Sequence, residues 1–440
     1  MRLTAVVARG AEEVLARELH ALGAREIESG RGIVAFAGDL ETGYRACLWL
    51  RTASRVLLPL TRFSTGTPEA HYAGVRGVEW REHLSPGRTL AVECAVAAGV
   101  SVHTHYLALK TKDAVCDQLR ERTGERPSID RERPDVRLHV HVDARHTTVS
   151  LDLGGQAMHR RGYRPRGVEA PVKETLAAAL LLLARWDERA ARGESLVDPL
   201  CGSGTFLVEA ALIAGDIAPG LLRAHHGMLG WRGHDAVAWR RVHREAEARA
   251  TAGAARIPAI HGFDASADAV HAAREAARRA GVAKAIHVER TRLRELQPPA
   301  APPGLVVANP PYGERLGRET DLETLYAEIG DVLRRRFPGW TGCVLTGSPA
   351  LAKCIGLRAA KKHVVWNGAI ECRFLEFPID ATPVRGEHGP GWRAREPGAH
   401  ERPPVRTATR EGDAVSADTP SNATLAPAVR RRRARRPRGT

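Results

Sequence analysis

The chain has 440 residues, 43% hydrophobic and 27% charged, an ordinary composition for a globular protein of two or three domains. Its 66 Lys and Arg outnumber its 51 Asp and Glu, and the net charge of +15 favours a polyanionic partner such as nucleic acid. The seven cysteines are scattered without a Cys-x-x-Cys pair, which argues against a disulfide framework and a zinc knuckle.

The start of the chain turns polar by Arg9 and Glu12, too early for a secretory signal peptide. The longest apolar run, Leu176–Ala184, is far shorter than the roughly 20 residues of a membrane-spanning helix. We therefore expect a cytoplasmic protein that makes no membrane contact.

Residues 1–60 predict a small α+β unit, because short apolar runs alternate there with helical periodicity. The predicted elements are a strand at Leu3–Ala8, an amphipathic helix ending at Gly23, a strand at Ile33–Phe36, a helix at Gly43–Ser54 and a strand at Arg55–Leu60.

Residues 61–158 predict a second small unit, with a strand at Arg88–Val96, a helix at Tyr106–Thr123 and two alternating strands near residues 138–142 and 148–153. Three histidines in this region suggest a metal site: His139, His141 and His146. Because the alternation places the first two on a polar face, without acidic or cysteine partners, we predict that no metal is bound.

In residues 159–380 the sequence pattern changes to repeated strand–loop–helix units. These units predict a doubly wound, largely parallel sheet with its functional site at the carboxyl ends of the strands. The predicted strands are Ser195–Asp198, Ala259–Asp264, Ala285–Glu289, Gly304–Ala308, Cys343–Thr346 and Glu371–Phe377. The predicted helices are Lys173–Trp186, Phe206–Ala214, Asp268–Ala280 and Leu322–Phe337.

Residues 381–440, rich in Pro, Gly and Arg, predict a disordered basic tail, either a solvated tail without function or an RNA-binding arm.

A glycine-containing loop follows the first of these strands and is typical of a nucleotide-like cofactor site. The helix after it offers free N–H groups, and Asp264 ends the next strand, where a carboxylate can accept both ribose hydroxyls. The candidate cofactor residues are Asp198, Pro199, Cys201, Gly202, Ser203, Gly204, Thr205 and Asp264. A nicotinamide or flavin Rossmann domain is the alternative, disfavoured because the third glycine of that fingerprint is missing.

Asn309, Pro310, Pro311 and Tyr312 follow the fourth strand and form the candidate catalytic corner. The Asn309 side-chain oxygen and the Pro310 carbonyl can each accept one hydrogen of a base amino group, and Tyr312 can stack on a flipped base. Together with the loop, this corner indicates methyl transfer from S-adenosylmethionine to an exocyclic nitrogen. Such a reaction needs no cysteine nucleophile, so we predict that Cys201 has a packing role.

Several strings resemble the THUMP-domain class I RNA methyltransferases, and within them the group that methylates guanine N2 of bacterial 23S rRNA. The strings are Leu48–Val56, Leu109–Val115, Arg126–Asp130, His159–Arg164 and Ala170–Glu174. The resemblance implies a ferredoxin-like segment, a THUMP RNA-binding domain and a Rossmann-like methyltransferase domain. It also implies that the loop and Asp264 bind S-adenosylmethionine and that the corner binds the target guanine.

The same resemblance makes four basic residues candidate RNA contacts: Lys110, Lys112, Arg161 and Arg164. One departure concerns the adenine end of the cofactor, because Thr291 and Arg292 stand where such enzymes usually place an acid. Relatives with a second methyltransferase domain exist, and we expect this chain to perform one modification. Three alternatives remain: a tRNA guanine-N2 methyltransferase, a DNA adenine-N6 methyltransferase and a non-catalytic RNA-binding assembly factor.

Overall fold

The computed structural model describes residues 1–85, 87–97, 99–100, 102–165, 172–312 and 319–380, with Glu319 described by its backbone alone. The predicted tail at 381–440 lies outside these residues. Within the described ranges, no helix has the length and apolar character needed to cross a membrane. Nor do three or more His, Cys, Asp or Glu side chains of these ranges come together as a metal-binding group.

The amino-terminal part forms one eight-stranded sheet in the order β2-β3-β1-β4-β8-β7-β5-β6, covered by four helices. Its elements are β1 (Arg2–Val7), α1 (Glu12–Ala21), β2 (Arg25–Gly30), β3 (Ile33–Ala37), α2 (Leu40–Trp49), β4 (Ala53–Ser64), α3 (Pro68–Arg76), β5 (Thr89–Val96), α4 (Thr104–Thr123), β6 (Ser128–Ile129), β7 (Val136–Val142) and β8 (His146–Asp152).

Strand β4 connects the two halves of this sheet, pairing with β1 on one side and β8 on the other. The proposed domain boundary at residue 60 therefore falls inside a strand. The predicted helix at Gly43–Ser54 is wrong at its end, because Leu50 already has an extended backbone (ψ 111°) and β4 begins at Ala53.

The second part contains a seven-stranded sheet in the order β11-β10-β9-β12-β13-β15-β14. Its elements are α5 (Glu174–Leu183), α6 (Trp186–Ala191), β9 (Leu196–Asp198), α7 (Thr205–Ala214), α8 (Ala236–Gly253), β10 (Ile260–Asp264), α9 (Ala267–Arg279), β11 (Ile286–Arg290), β12 (Leu305–Ala308), α10 (Glu319–Arg336), β13 (Thr341–Thr346), α11 (Pro349–Cys354), β14 (Lys361–Asn367) and β15 (Ile370–Pro378).

Strands β9 to β13 are parallel, and the hairpin β14–β15 adds an antiparallel edge. The predicted doubly wound α/β fold is thus confirmed. The chain order reverses between β9 and β12, and the ends of these neighbouring strands carry Asp198 and Asn309. The helix predicted at 173–186 is broken in two, because Arg185 has a left-handed backbone (φ 60°).

Residues 215–258, between α7 and β10, pack against the amino-terminal sheet. The Met228 N–H donates to the Leu153 carbonyl at 3.0 Å, and Arg45 of α2 pairs with Glu245 of α8 at 2.6 Å. Apolar residues of α8, such as Val242, belong to the same hydrophobic core as the first sheet. This segment therefore joins the two sheets. The sequence patterns did not predict this role.

Strand β14 makes a second junction with the amino-terminal sheet. The Trp366 N–H donates to the Arg9 carbonyl at 3.0 Å. Gly10 has φ +86°, and a Cβ there would lie 2.0 Å from the Val364 carbonyl oxygen. Only glycine allows this close approach of the two backbones.

Candidate active site

The loop after β9 is closed by hydrogen bonds to the end of β10. The Cys201 N–H donates to the Phe263 carbonyl at 2.9 Å, and the Gly202 N–H donates to Asp264 Oδ2 at 3.0 Å. Gly202 and Gly204 have φ of +52° and +78°, the conformation that favours glycine. A Cβ on Gly204 would also lie 3.0 Å from the Ala273 Cβ of α9. The loop geometry therefore needs both glycines.

Asp198 is 2% exposed at the end of β9. Burial raises the pKa of its carboxyl from 3.8 to about 8, opposed by the Leu200 N–H and reinforced by the neighbouring charge of Asp264. Its Oδ1 accepts the Leu200 N–H at 3.1 Å, while Oδ2 accepts no hydrogen bond among the described residues. No cationic side chain of the described residues pairs with this carboxyl group, which suits it to a cation supplied by a ligand.

Asp264 is held rigidly by backbone donors. Its Oδ1 accepts the Ser266 N–H at 2.9 Å, and its Oδ2 accepts the Gly202 N–H. Each oxygen keeps a further lone pair for a hydroxyl donor. The Thr291 N–H donates to the Asp264 carbonyl at 3.0 Å, so Thr291 does lie beside this site.

Cys201 is buried, 6% exposed, and a Cβ on Gly262 of β10 would lie 3.3 Å from its Sγ. Burial, together with the charges of Asp198 and Asp264, raises the pKa of its thiol far above the ordinary value. A thiol that stays protonated is a poor nucleophile. The geometry is that of a packing residue.

The catalytic corner follows β12 directly. Pro310 is buried, whereas Asn309, Pro311 and Tyr312 are half-buried. The side-chain oxygen of Asn309 is buried and accepts no hydrogen bond from the described residues. Buried polar atoms are nearly always paired, so this acceptor is available for a donor that the described residues do not supply.

Tyr312 is fixed by the edge hairpin. Its hydroxyl accepts hydrogen bonds from Asn367 Nδ2 at 3.0 Å and from Cys372 Sγ at 3.6 Å. Its ring lies against Gly347, where a Cβ would be 2.8 Å from Tyr312 Cδ2. Asn367 is not among the residues predicted from the sequence, although Asn367-Gly368 is a strong hairpin signal and Gly368 has φ +65°.

The four candidate RNA contacts differ in their surroundings. Arg161 is 1% exposed, and its guanidinium donates to the Met158 and Arg51 carbonyls and lies 3.5 Å from Glu209. We therefore correct its assignment from an RNA contact to a structural residue.

The other three candidates keep part of their side chains accessible. Lys112 pairs with Asp113 at 2.7 Å, and Arg164 with Glu174 at 3.1 Å. The Lys110 ammonium lies 5.7 Å from the centre of the Tyr72 ring. These three remain predicted RNA contacts.

Three family descriptions match successive parts of the chain. They are an RlmL ferredoxin-like domain at residues 2–57, a THUMP domain at 67–152 and an RMKL-like methyltransferase domain at 161–376. The crystal structure of SMU.472 complexed with SAH superposes with a TM-score of 0.76 and 30% identity, over 86% of this chain and 98% of that one. The chain belongs to the THUMP-domain class I methyltransferase family.

Within this family, the chain is 49% identical to the ribosomal RNA large subunit methyltransferase K/L of Syntrophotalea carbinolica, over 89% of the chain and 55% of that protein. The chain spans about half the length of the curated relatives it matches. A structure of a predicted N6-adenine-specific DNA methylase from Listeria monocytogenes superposes with a TM-score of 0.74 and 30% identity, covering 86% of this chain and 96% of that one.

The cofactor of the family is S-adenosylmethionine, and the residues of this chain fit it. The Asp198 carboxyl is buried with no cationic partner in the part of the chain that the structure describes, which suits the ammonium of the methionine part. Asp264 presents a carboxylate held at both oxygens, which suits two ribose hydroxyls. The assignment of these individual roles stays a prediction.

Proposed function

We propose that this chain transfers a methyl group from S-adenosylmethionine to the exocyclic N2 of a guanine in 23S rRNA. The single observation that carries the reaction type is the side-chain oxygen of Asn309, which is buried and accepts no hydrogen bond from any residue that the structure describes. It stands at the end of β12, next to the strand β9 that ends in Asp198. An amino group of a base supplies the donor that this oxygen lacks.

The chain's own residues contribute by positioning. The lone pair of a guanine amino group is delocalised into the ring, which makes the nitrogen a weak nucleophile. A hydrogen bond from the amino group to Asn309 Oδ1, and a second to the Pro310 carbonyl, would direct that lone pair at the methyl donor. Correct alignment of reacting groups can lower a barrier by roughly 7–11 kcal/mol. Bound S-adenosylmethionine supplies the electrophilic methyl group.

The substrate assignment is supported by composition and by relatives. The net charge of +15 and the THUMP match suit an RNA partner. The curated relatives at 49% identity are named ribosomal RNA large subunit methyltransferase K/L. We propose an rRNA substrate on these grounds, and with it a cytoplasmic location.

The test supplies the chain with labelled S-adenosylmethionine and, in separate reactions, unmodified 23S rRNA, tRNA and duplex DNA. Nucleoside analysis should find N2-methylguanosine in the rRNA alone. N2-methylguanosine in tRNA would change the proposed substrate from rRNA to tRNA. N6-methyladenosine in any reaction would refute the assignment of guanine as the target base. The DNA arm is warranted by the Asn-Pro-Pro-Tyr corner and by the similarity to the Listeria structure, which is described as a predicted N6-adenine-specific DNA methylase.

Asn309→Ala tests the catalytic assignment. Because the Asn309 oxygen has no partner within the described chain, the substitution breaks no internal hydrogen bond and should leave the fold intact. We expect kcat to fall at least a hundredfold, while RNA and SAH affinities change less than threefold. Asn309→Asp, which keeps an acceptor oxygen, should recover part of the activity. Undiminished turnover in the alanine variant would exclude the proposed role.

A further inference from the structure

A basic cavity of about 870 Å³ lies where the amino-terminal sheet meets the methyltransferase part. Its lining comes from β4, from the segment before β7, from the link after β8 and from residues 224–225 of the segment that fastens the two sheets. No site residue discussed above lines this cavity. It is thus distinct from the candidate catalytic corner.

The cavity has a strong excess of positive charge. Six lining side chains are Arg or Lys, against two Glu. Two of the six are already occupied, because Arg55 pairs with Glu93 and Asp152, and Arg137 donates to the Gly155 and Arg131 carbonyls. The other four are exposed, and their side chains make no ion pair or hydrogen bond with the described residues: Arg131, Arg133, Arg160 and Lys173.

Two histidines of the lining have unsatisfied ring nitrogens. His159 Nδ1 and His225 Nε2 are both buried without a hydrogen-bond partner among the described residues. Unpaired buried groups of this kind are rare in folded proteins and call for an external partner. A ligand rich in negative charge that carries both acceptor oxygens and hydroxyl donors would satisfy the four cations and could meet the two ring nitrogens in either tautomer.

A second cavity, of about 570 Å³, adjoins the first. The two share Ser54 and Lys173 in their linings. The second cavity also contains Trp366 and Asn367, and Asn367 donates the hydrogen bond that fixes the Tyr312 hydroxyl. A groove therefore leads from the basic cavity past Lys173 to the wall of the catalytic corner. Trp366 offers an aromatic ring along the way, suited to stack on an unpaired base.

We propose that this groove binds a single-stranded segment of the RNA substrate continuous with the target nucleotide, with its phosphodiesters in the basic cavity. The inference rests on the proposed RNA methylation and names where the strand runs. Sequence-tolerant binding follows, because phosphate contacts carry no base information. Lys173, shared by both cavities, marks the point where the strand turns toward the corner.

The test compares the full chain with the double variant Arg133→Gln, Arg160→Gln, using unmodified 23S rRNA at several salt concentrations. Each lost phosphate contact lowers the slope of log K against log salt by roughly 0.7–0.9, so the slope should fall by about 1.5. We expect Kd and KM to rise about tenfold or more, while kcat at saturating RNA and SAH affinity stay within twofold. Lys173→Gln should raise KM in the same way.

The charge-matched control is Arg256→Gln, Lys284→Gln. Both residues are exposed and line neither cavity. RNA affinity and salt slope equal in the two double variants would overturn the groove. A second result would also overturn the groove: the cavity variant loses pyrophosphate binding but keeps the RNA affinity of the wild type. The cavity would then be a binding site for a small anion. If the wild-type chain methylates no rRNA but the cavity variant still binds RNA more weakly, the groove stands and the proposed reaction falls.

Discussion

Replacing Asp198 by Asn should stabilise the ligand-free protein, and increasingly so as pH rises. Burial raises the pKa of Asp198 from 3.8 to about 8. A carboxyl whose folded pKa is raised costs no stability below the unfolded pKa of about 4, an increasing amount between about 4 and 8, and a constant amount above that. One pKa unit corresponds to about 1.4 kcal/mol, so the full cost is about 6 kcal/mol. Asparagine removes the charge and with it this cost.

Urea unfolding of the full chain at pH 5 and pH 8.5 measures this effect. The difference in unfolding free energy between variant and wild type should grow by about 4 kcal/mol across that interval. The control is Asp187→Asn, which removes an exposed carboxylate of α6 and therefore no buried charge. If the difference in unfolding free energy between Asp198→Asn and wild type is constant, or becomes smaller toward pH 8.5, the reasoning is refuted.

Three further substitutions follow from the site. Cys201→Ala should retain at least half the wild-type kcat, since its thiol is buried and protonated; loss of a methylated product would assign it to chemistry. Gly347→Val should lower kcat more than tenfold with SAH affinity unchanged, because the Tyr312 ring occupies that space; normal kinetics would show that Tyr312 placement is unimportant. Arg161→Met should cost roughly 3–5 kcal/mol in urea unfolding, because it removes the guanidinium beside the buried Glu209 and leaves that carboxylate only the Tyr163 hydroxyl as a partner among the described residues, without changing the salt slope of RNA binding; a lowered slope would restore Arg161 as an RNA contact.

The sequence predicts the parallel sheet and its loop well, because local signals determine both. Gly202 and Gly204 mark backbone that other residues disfavour, and the apolar runs before Asp198 and Asn309 are short, buried strands. These features depend on few neighbours in the chain, and the structure has them at the expected positions.

Long-range contacts account for what the sequence could not predict. A basic residue such as Arg161 looks like a surface charge until its distant acceptors, the Arg51 carbonyl and Glu209, are known. The hairpin residue Asn367 reaches Tyr312 across 55 residues of sequence. The end of helix α2 also depends on context, because the residues that follow it are drawn into strand β4 by pairing with β1 and β8.

The segment at residues 215–258 limits which fragments of the chain can fold by themselves. Val242 and Met228 lie in the interior of the amino-terminal sheet's core although they belong to the methyltransferase half of the chain. A fragment starting at residue 159 would leave these side chains in water, and we expect it to aggregate. Chimeras with other relatives should fold only when this segment and the first sheet are inherited from the same parent.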